Sequence, residues 1–339
     1  MKSKATFGVV LCFVGWMMAL TQEARGGAQA QQAPPTETVA PNIPGVVVGG
    51  TKVQVFTIGT TTDSDGPIAL PDGNVIFTEL GVNRIWKIEK DSKLSLFLDN
   101  TGKPVPGALG FDSKGRLIAT QTTPPEQTKI AVIYPQGQEA VLAESIDGRP
   151  LGRPNDLVVS GKGGVYFTDP GVGKTPSIVG YIPPGGKAIK VADVTGRPNG
   201  IQLSPDEKTL YVNISWGAYL TAFDIQPDGT LRNGRNFGKY ELASAKAAET
   251  IASWAGPKPV QVSDGLATDN DGRIYVANQS VNGVQVFSSQ GQSLGTIPLG
   301  GRPQSIAFAG PEKKTLYVTG AGYLYKIQML AQGPKGRVK

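Results

Sequence analysis

The chain has 339 residues, a formal net charge of +6, 39% hydrophobic residues, 45 glycines and 26 prolines. With no histidine and a single cysteine, Cys12, it cannot build a Ser-His-Asp triad, a Cys-His pair or a nitrogen- and sulfur-ligated zinc site. Its charges of both signs are scattered, and no dense Lys/Arg run interleaves with aromatics, which argues against a nucleic-acid partner.

The N-terminus reads as a targeting segment. Lys2 and Lys4 precede an apolar stretch from Val9 to Leu20, and "AQA" at Ala28 to Ala30 offers small residues for cleavage. This is the pattern of a secretory signal peptide over residues 1–30. The apolar stretch is too short for a convincing membrane span. The expectation is an exported protein, periplasmic or secreted, with no stable membrane insertion after cleavage. The mature chain would then lack cysteine and disulfides. Residues 31–50 are rich in Pro, Ala and Gly and read as a linker.

From Thr51 onwards a repeat sets the organisation. After the strand-like "TKVQVFTI", six segments share a polar or small first residue, a short apolar run, a turn and a second strand. They are "DGPIALPDGNVIFTE" from Asp65, "GALGFDSKGRLIATQ" from Gly107 and "NDLVVSGKGGVYFTD" from Asn155. "NGIQLSPDEKTLYVN" from Asn199, "DGLATDNDGRIYVAN" from Asp264 and "QSIAFAGPEKKTLYVT" from Gln304 complete the set. A spacing of about 40 to 50 residues suits a four-stranded propeller blade, with one longer gap between Asn199 and Asp264. The last unit offers only "GYLYKIQML" after its hairpin, so the strand at Thr51 is expected to complete it and protect its open edge. The predicted fold is all-β, a six-bladed β-propeller over 51–330 whose N-terminal strand closes the last blade. A polar basic tail follows at 331–339. In the long gap, "YELASAKAAETIASW" from Tyr240 reads as a short helix or lid within a 240–262 insertion.

If the first strand of each hairpin lies innermost, its opening residue sits at the mouth of the central channel. Around the ring those residues are Asp65, Gly107, Asn155, Asn199, Asp264 and Gln304. Singly, Asp and Asn are ordinary turn and strand starters. Six-fold repetition brings their oxygens together, and crowded carboxylates resist joint ionisation unless a cation intervenes. An all-oxygen set favours Ca2+ first, with Mg2+, Mn2+ or Zn2+ left open. Glu79, Gln121, Asp169 and Asn278 end the returning strands near the same face. Asp169 reads as a turn cap or as a group that orients a ligand or substrate. Arg197 reads as a surface ion-pair residue, and the aromatic residues of "VYFTD", "TLYVN" and "RIYVAN" as packing between blades. "DPGVGKTPS" is a weak echo of a phosphate-binding loop; Thr168 stands where its first glycine belongs.

Three segments, "RPNDLVV…GGVYFTDP", "RPNGIQLSPDEKTLYV" and "SDGLATDNDGRIYVAN", in this order and spacing, resemble the SMP-30/gluconolactonase (regucalcin-like) family from Thr51 to Met329. The resemblance implies a divalent ion held by Asp65, Asn155, Asn199 and Asp264. It gives Asp264 a second role as base or nucleophile, and Arg153 a place in substrate binding. It implies a hydrolase that opens a small-molecule sugar lactone to the acid; the chain is separately expected to be a monomer. The alternative is a non-catalytic propeller that binds a small ligand or protein partner around a structural ion. One position departs from the pattern: the family has Glu-Gly-Pro where this chain has Asp65-Gly66-Pro67. Aspartate is one C–C bond, about 1.5 Å, shorter, and Glu79 is the fallback ligand.

Overall fold

The computed structural model describes residues 35–58, 63–89, 92–122, 128–244 and 261–336. The expected signal segment and most of the expected lid, from residue 245 to 260, lie outside the described residues. What is described is a ring of six four-stranded antiparallel sheets, the last extended by a fifth short strand. Blade one comprises Ser64–Ala69, Val75–Glu79, Arg84–Ile88 and Leu94–Asp99. Blade two comprises Val105–Phe111, Leu117–Thr122, Lys129–Tyr134 and Ala140–Ala143. Blade three comprises Leu157–Val159, Val165–Asp169, Ile178–Ile182 and Ile189–Asp193. Blade four comprises Pro198–Leu203, Thr209–Ile214, Tyr219–Ile225 and Leu231–Lys239. Blade five comprises Ser263–Thr268, Ile274–Asn278, Gly283–Phe287 and Ser293–Pro298.

Blade six joins the two ends of the ring. Ser305–Ala309, Thr315–Gly320 and Tyr323–Gln328 come from the C-terminal side. Lys52–Thr57 pairs antiparallel along the last of these, Val53 opposite Ile327 and Thr57 opposite Tyr323. The predicted closure is therefore present. First strands of successive blades touch in a closed cycle, blade six against blade one included.

Propeller strands face a neighbouring blade on both sides, so alternate side chains enter opposite interfaces. Hence the core is divided into six clusters, one per blade junction. Leu117 and Ala119 pack toward blade one with Ile68 and Ile76, while Ile118 packs toward blade three with Leu157 and Phe167. Tyr166, Tyr211 and Tyr275, read as packing residues, are buried in three of these clusters.

The linker expected over 31–50 needs correction over its described part. Thr38–Val39 pairs with Lys52 and Val53 as a fifth strand of blade six. Ile43, Val46 and Val47 are buried in the cluster between blades five and six. Composition concealed this because the surrounding prolines and glycines outnumber the four apolar side chains, Ala40 included, that find a core. The C-terminal tail behaves similarly: Ala331 is buried, and the N–H groups of Leu330 and Ala331 donate to Val46 O.

Candidate active site

Two local devices place side chains at the channel mouth. The first is a β-bulge in the inner strand. Pairing runs Asp65 to Thr78 and then Ile68 to Ile76, so three steps on one strand meet two on the other. The same slip follows Pro106, Pro198 and Ser263. An extra residue at these points bends the strand and re-aims the adjoining side chain. It falls beside Asp65, Gly107, Asn199 and Asp264, the positions the repeat had singled out.

The second device is a side-chain latch between blades. Thr78 Oγ1 donates to Gly107 O, Thr120 Oγ1 to Asn155 O and Thr168 Oγ1 to Asn199 O. Asn213 Nδ2 plays the same part toward Asp264 O at 2.5 Å. Each donor sits near the end of one blade's second strand, and each acceptor is the axis residue of the next blade. The hydroxyls of Thr120 and Thr168 also accept from Ala108 N and Asp156 N in their own blades. Removing such a buried hydroxyl orphans a donor and an acceptor together, at about 1–3 kcal/mol. Thr168→Val, nearly the same shape, should therefore lower the urea midpoint with little change in m-value.

Of the four predicted ligands, Asp65 and Asp264 lie close enough for their carboxylates to repel, and Asn155 and Asn199 are held by the threonine latches of the blades before them. Asp264 is 7% exposed and Asn199 3% exposed, whereas Asp65 and Asn155 are half-buried. Asn199 Nδ2 donates to Ser215 Oγ at 2.9 Å, and that hydroxyl donates on to Ser263 O at 2.8 Å. The chain of donors fixes the amide orientation and leaves Asn199 Oδ1 as the free acceptor. Asn155 anchors its backbone through Thr168 O and Thr120 Oγ1. Asp65 Oδ1 accepts from Gly66 N at 2.7 Å. Gly66 has φ +52°, and a Cβ there would lie 2.6 Å from Gly107 O. Glycine at position 66 is thus demanded by the close approach of blade two.

Asp264 carries the strongest electrostatic signal. Burial, followed by the neighbouring Asp65 carboxylate, pushes its pKa well above the ordinary carboxylate range, against the pull of Arg197 and Arg302. Its Oδ2 accepts from Gln279 Nε2 at 2.7 Å and Gln261 Nε2 at 3.2 Å. Two carboxylates that repel, joined by two amide oxygens, form a donor set that a hard divalent cation fits. Among the described residues no cluster of three or more His, Cys, Asp or Glu exists, in keeping with a set drawn half from amides.

The reading of Arg197 changes, and those of Asp169 and Glu79 become more definite. Arg197 is not a surface ion-pair residue: it is half-buried at the axis, donates to Gln261 Oε1 at 3.3 Å and feels both Asp264 and Asp65. Asp169 is spent on its own loop, accepting from Gly152 N and Arg153 N at 2.7 Å and from Gly171 N at 2.9 Å. It positions Arg153 rather than touching a substrate. Glu79, the fallback ligand, accepts from Trp86 Nε1 at 2.6 Å. Gln261, Gln279 and Arg302 were missed. Only Arg302 left a trace, in the last of the chain's four Gly-Arg-Pro triplets.

An oxygen-lined site on the axis of a six-bladed propeller defines a class shared with known proteins. The chain belongs to the SMP-30/Gluconolactonase/LRE-like family, whose signature matches residues 64–322. It is 26% identical over 296 residues to a gluconolactonase of Zymomonas mobilis, covering 78% of each chain. It is 28% identical over 242 residues to lactonase drp35 of Staphylococcus saprophyticus, covering 68% of each. The solved structure of a Xanthomonas campestris gluconolactonase superposes with a TM-score of 0.70 at 25% identity, covering 88% of this chain and 95% of that one.

Proposed function

We propose that this chain is an exported, divalent-metal-dependent lactonase that opens a sugar lactone to its hydroxy acid. The observation that carries the reading is Asp264, buried and repelled by the neighbouring Asp65 carboxylate at the channel mouth. The lactonase names of its relatives support it. Asp65, Asn155, Asn199 and Asp264 would hold the ion, with Ca2+ the first candidate by its taste for mixed carboxylate and amide oxygens. Bound there, a divalent ion supplies Lewis acidity toward an ester carbonyl and lowers the pKa of water.

The chain's own groups do the rest. Asp264, its Oδ2 fixed by two glutamine amides, takes a proton from the attacking water as general base. The water oxygen bonds to the lactone carbonyl carbon, the ring C–O bond breaks, and the ring oxygen receives the proton. Arg153, presented by the Asp169 loop, contacts the substrate's oxygens.

The test is acid release from glucono-δ-lactone by chelator-treated protein, with spontaneous opening subtracted and Ca2+, Mg2+, Mn2+ or Zn2+ restored in turn. Turnover should return with one or more of these ions. The restored ion should also raise the melting temperature, since saturation at 100 times Kd stabilises by about 2.7 kcal/mol. An ion that raises stability while no acid forms, across a panel of lactones and esters, would replace the enzyme with a binding scaffold.

A further inference from the structure

Of the four Gly-Arg-Pro triplets in the chain, three lead into axis positions: Gly152-Arg153-Pro154, Gly196-Arg197-Pro198 and Gly301-Arg302-Pro303. Each arginine stands two residues before an axis position, so propeller symmetry brings all three guanidinium groups to one mouth. Arg302 Nη2 donates to Gln279 Oε1 at 2.6 Å, and Arg197 Nη1 donates to Gln261 Oε1 at 3.3 Å. Both glutamines then donate to the same Asp264 Oδ2. Two arginines thus flank Asp264, each held one glutamine away from it. Arg197 also experiences Arg153 and Arg302 as neighbouring like charges.

Three cations gathered in this way normally pair with carboxylates. Here none of the three takes part in an ion pair among the described residues. The carboxylates of this end take their hydrogen bonds from other groups: Asp65, Asp156 and Asp169 from backbone N–H groups, Glu79 from an indole and Asp264 from glutamines, and Asp65 and Asp264 act on Arg197 only through space. With one nitrogen each of Arg197 and Arg302 held by a glutamine, the remaining N–H groups of the three guanidinium groups can take the oxygens of an anion. A cleft of about 930 Å³ opens beside Arg153, and among the described residues its charged lining is Arg149, Arg153 and Lys174. That volume lies at the upper end of the range for small-molecule sites.

We propose that the substrate is an anionic lactone whose carboxylate or phosphate is gripped by Arg153, Arg197 and Arg302 while its ester reaches the axis. The inference rests on the lactonase reading for the reaction and adds the charge of the molecule turned over. A neutral lactone brings no charge to answer these three guanidinium groups, whereas an anionic one does and is drawn in by their field.

The experiment compares metal-restored protein on D-glucono-1,4-lactone and D-glucaro-1,4-lactone, the same ring bearing CH2OH or carboxylate. Phosphogluconolactone serves as the phosphate arm. The expected result is a kcat/KM at least tenfold higher for one anionic lactone than for the neutral one, narrowing as salt rises from 20 to 200 mM. Which arm wins identifies the anion. Arg302→Gln should shrink the charged-to-neutral ratio by about tenfold, mainly through KM, and Arg302→Lys should restore part of it. Equal kcat/KM for all three lactones, insensitive to salt, would overturn the proposal while leaving the lactonase intact. So would an Arg302→Gln variant that loses charged and neutral substrates in equal proportion, since the arginine would then only position Asp264. If no lactone opens, binding of glucarate and of inorganic phosphate is measured by calorimetry. Binding weakened in Arg302→Gln would keep the anion frame although the lactonase reading falls, and no binding would end both.

Discussion

Asp264→Asn should abolish lactone opening, by about 10²–10⁴-fold from the lost base alone, and yet yield a folded protein. Freed of divalent cations, that variant should melt at a higher temperature than the wild type. Both halves follow from the same feature. Asp264 is 7% exposed, and burial together with Asp65 raises its pKa well above the ordinary range. A group whose folded pKa lies above its unfolded one binds more protons when folded, so stability falls as pH rises from the unfolded pKa through the folded one. Asparagine removes that loss and keeps an oxygen to accept from Gln261 and Gln279. The stability gap between variant and wild type should therefore widen toward neutral pH and close below about pH 4, where both forms of position 264 are neutral. Restoring the divalent ion should reverse the order, because only wild type offers two carboxylates to it. Unchanged turnover in Asp264→Asn would remove the assigned base. A variant that melts lower than ion-free wild type at pH 7 would show that Asp264 is not held against its preference.

The contrast between what was legible and what was not follows from how a propeller is encoded. Repeats carry the blade hairpins, because each must satisfy the same alternation of inward faces and the same tight turn. They also carry the axis positions, because Asp65, Asn199 and Asp264 recur in phase. Closure by Lys52–Thr57 was readable from arithmetic, a spare strand at one end and a missing one at the other. Partners contributed by different blades were not readable. Nothing local to "GRPNG" tells that Arg197 will face Gln261 across 64 positions, and a lone exposed-looking arginine reads as surface. Gln279 fell in a turn after a strand and had no periodic counterpart. The Thr latches hid in plain view. "FTE", "ATQ" and "FTD" share a threonine one place before the polar residue that drew attention. The polar residues after them serve their own loops, and the threonines bind the next blade.

Gly200→Ala should be the most damaging single-methyl change in the site. A Cβ at Gly200 would lie 2.4 Å from Asp264 O, 2.7 Å from Leu266 Cδ2 and 2.8 Å from Gly265 Cα. Two of these are backbone atoms, so relief cannot come from a rotamer and the inner strands of blades four and five must separate. Overpacking of this kind costs about 1–3 kcal/mol. It falls where Asn199 and Asp264 are adjacent to their glycines, and where Asn213 Nδ2 holds Asp264 O. A shift of even a few tenths of an ångström there breaks the spacing of an amide and a carboxylate that would share one ion. The variant should accordingly lose ion-dependent stabilisation and turnover out of proportion to its loss of urea stability. Gly161→Ala is the control. Its Cβ would sit 3.4 Å from the Glu207 carboxylate, an ordinary contact with a flexible side chain, and it should leave turnover and the urea midpoint within error of wild type. If Gly200→Ala matched that control, blades four and five would have more slack than their backbone contact allows. The two residues they carry to the axis would then not be held by the fold.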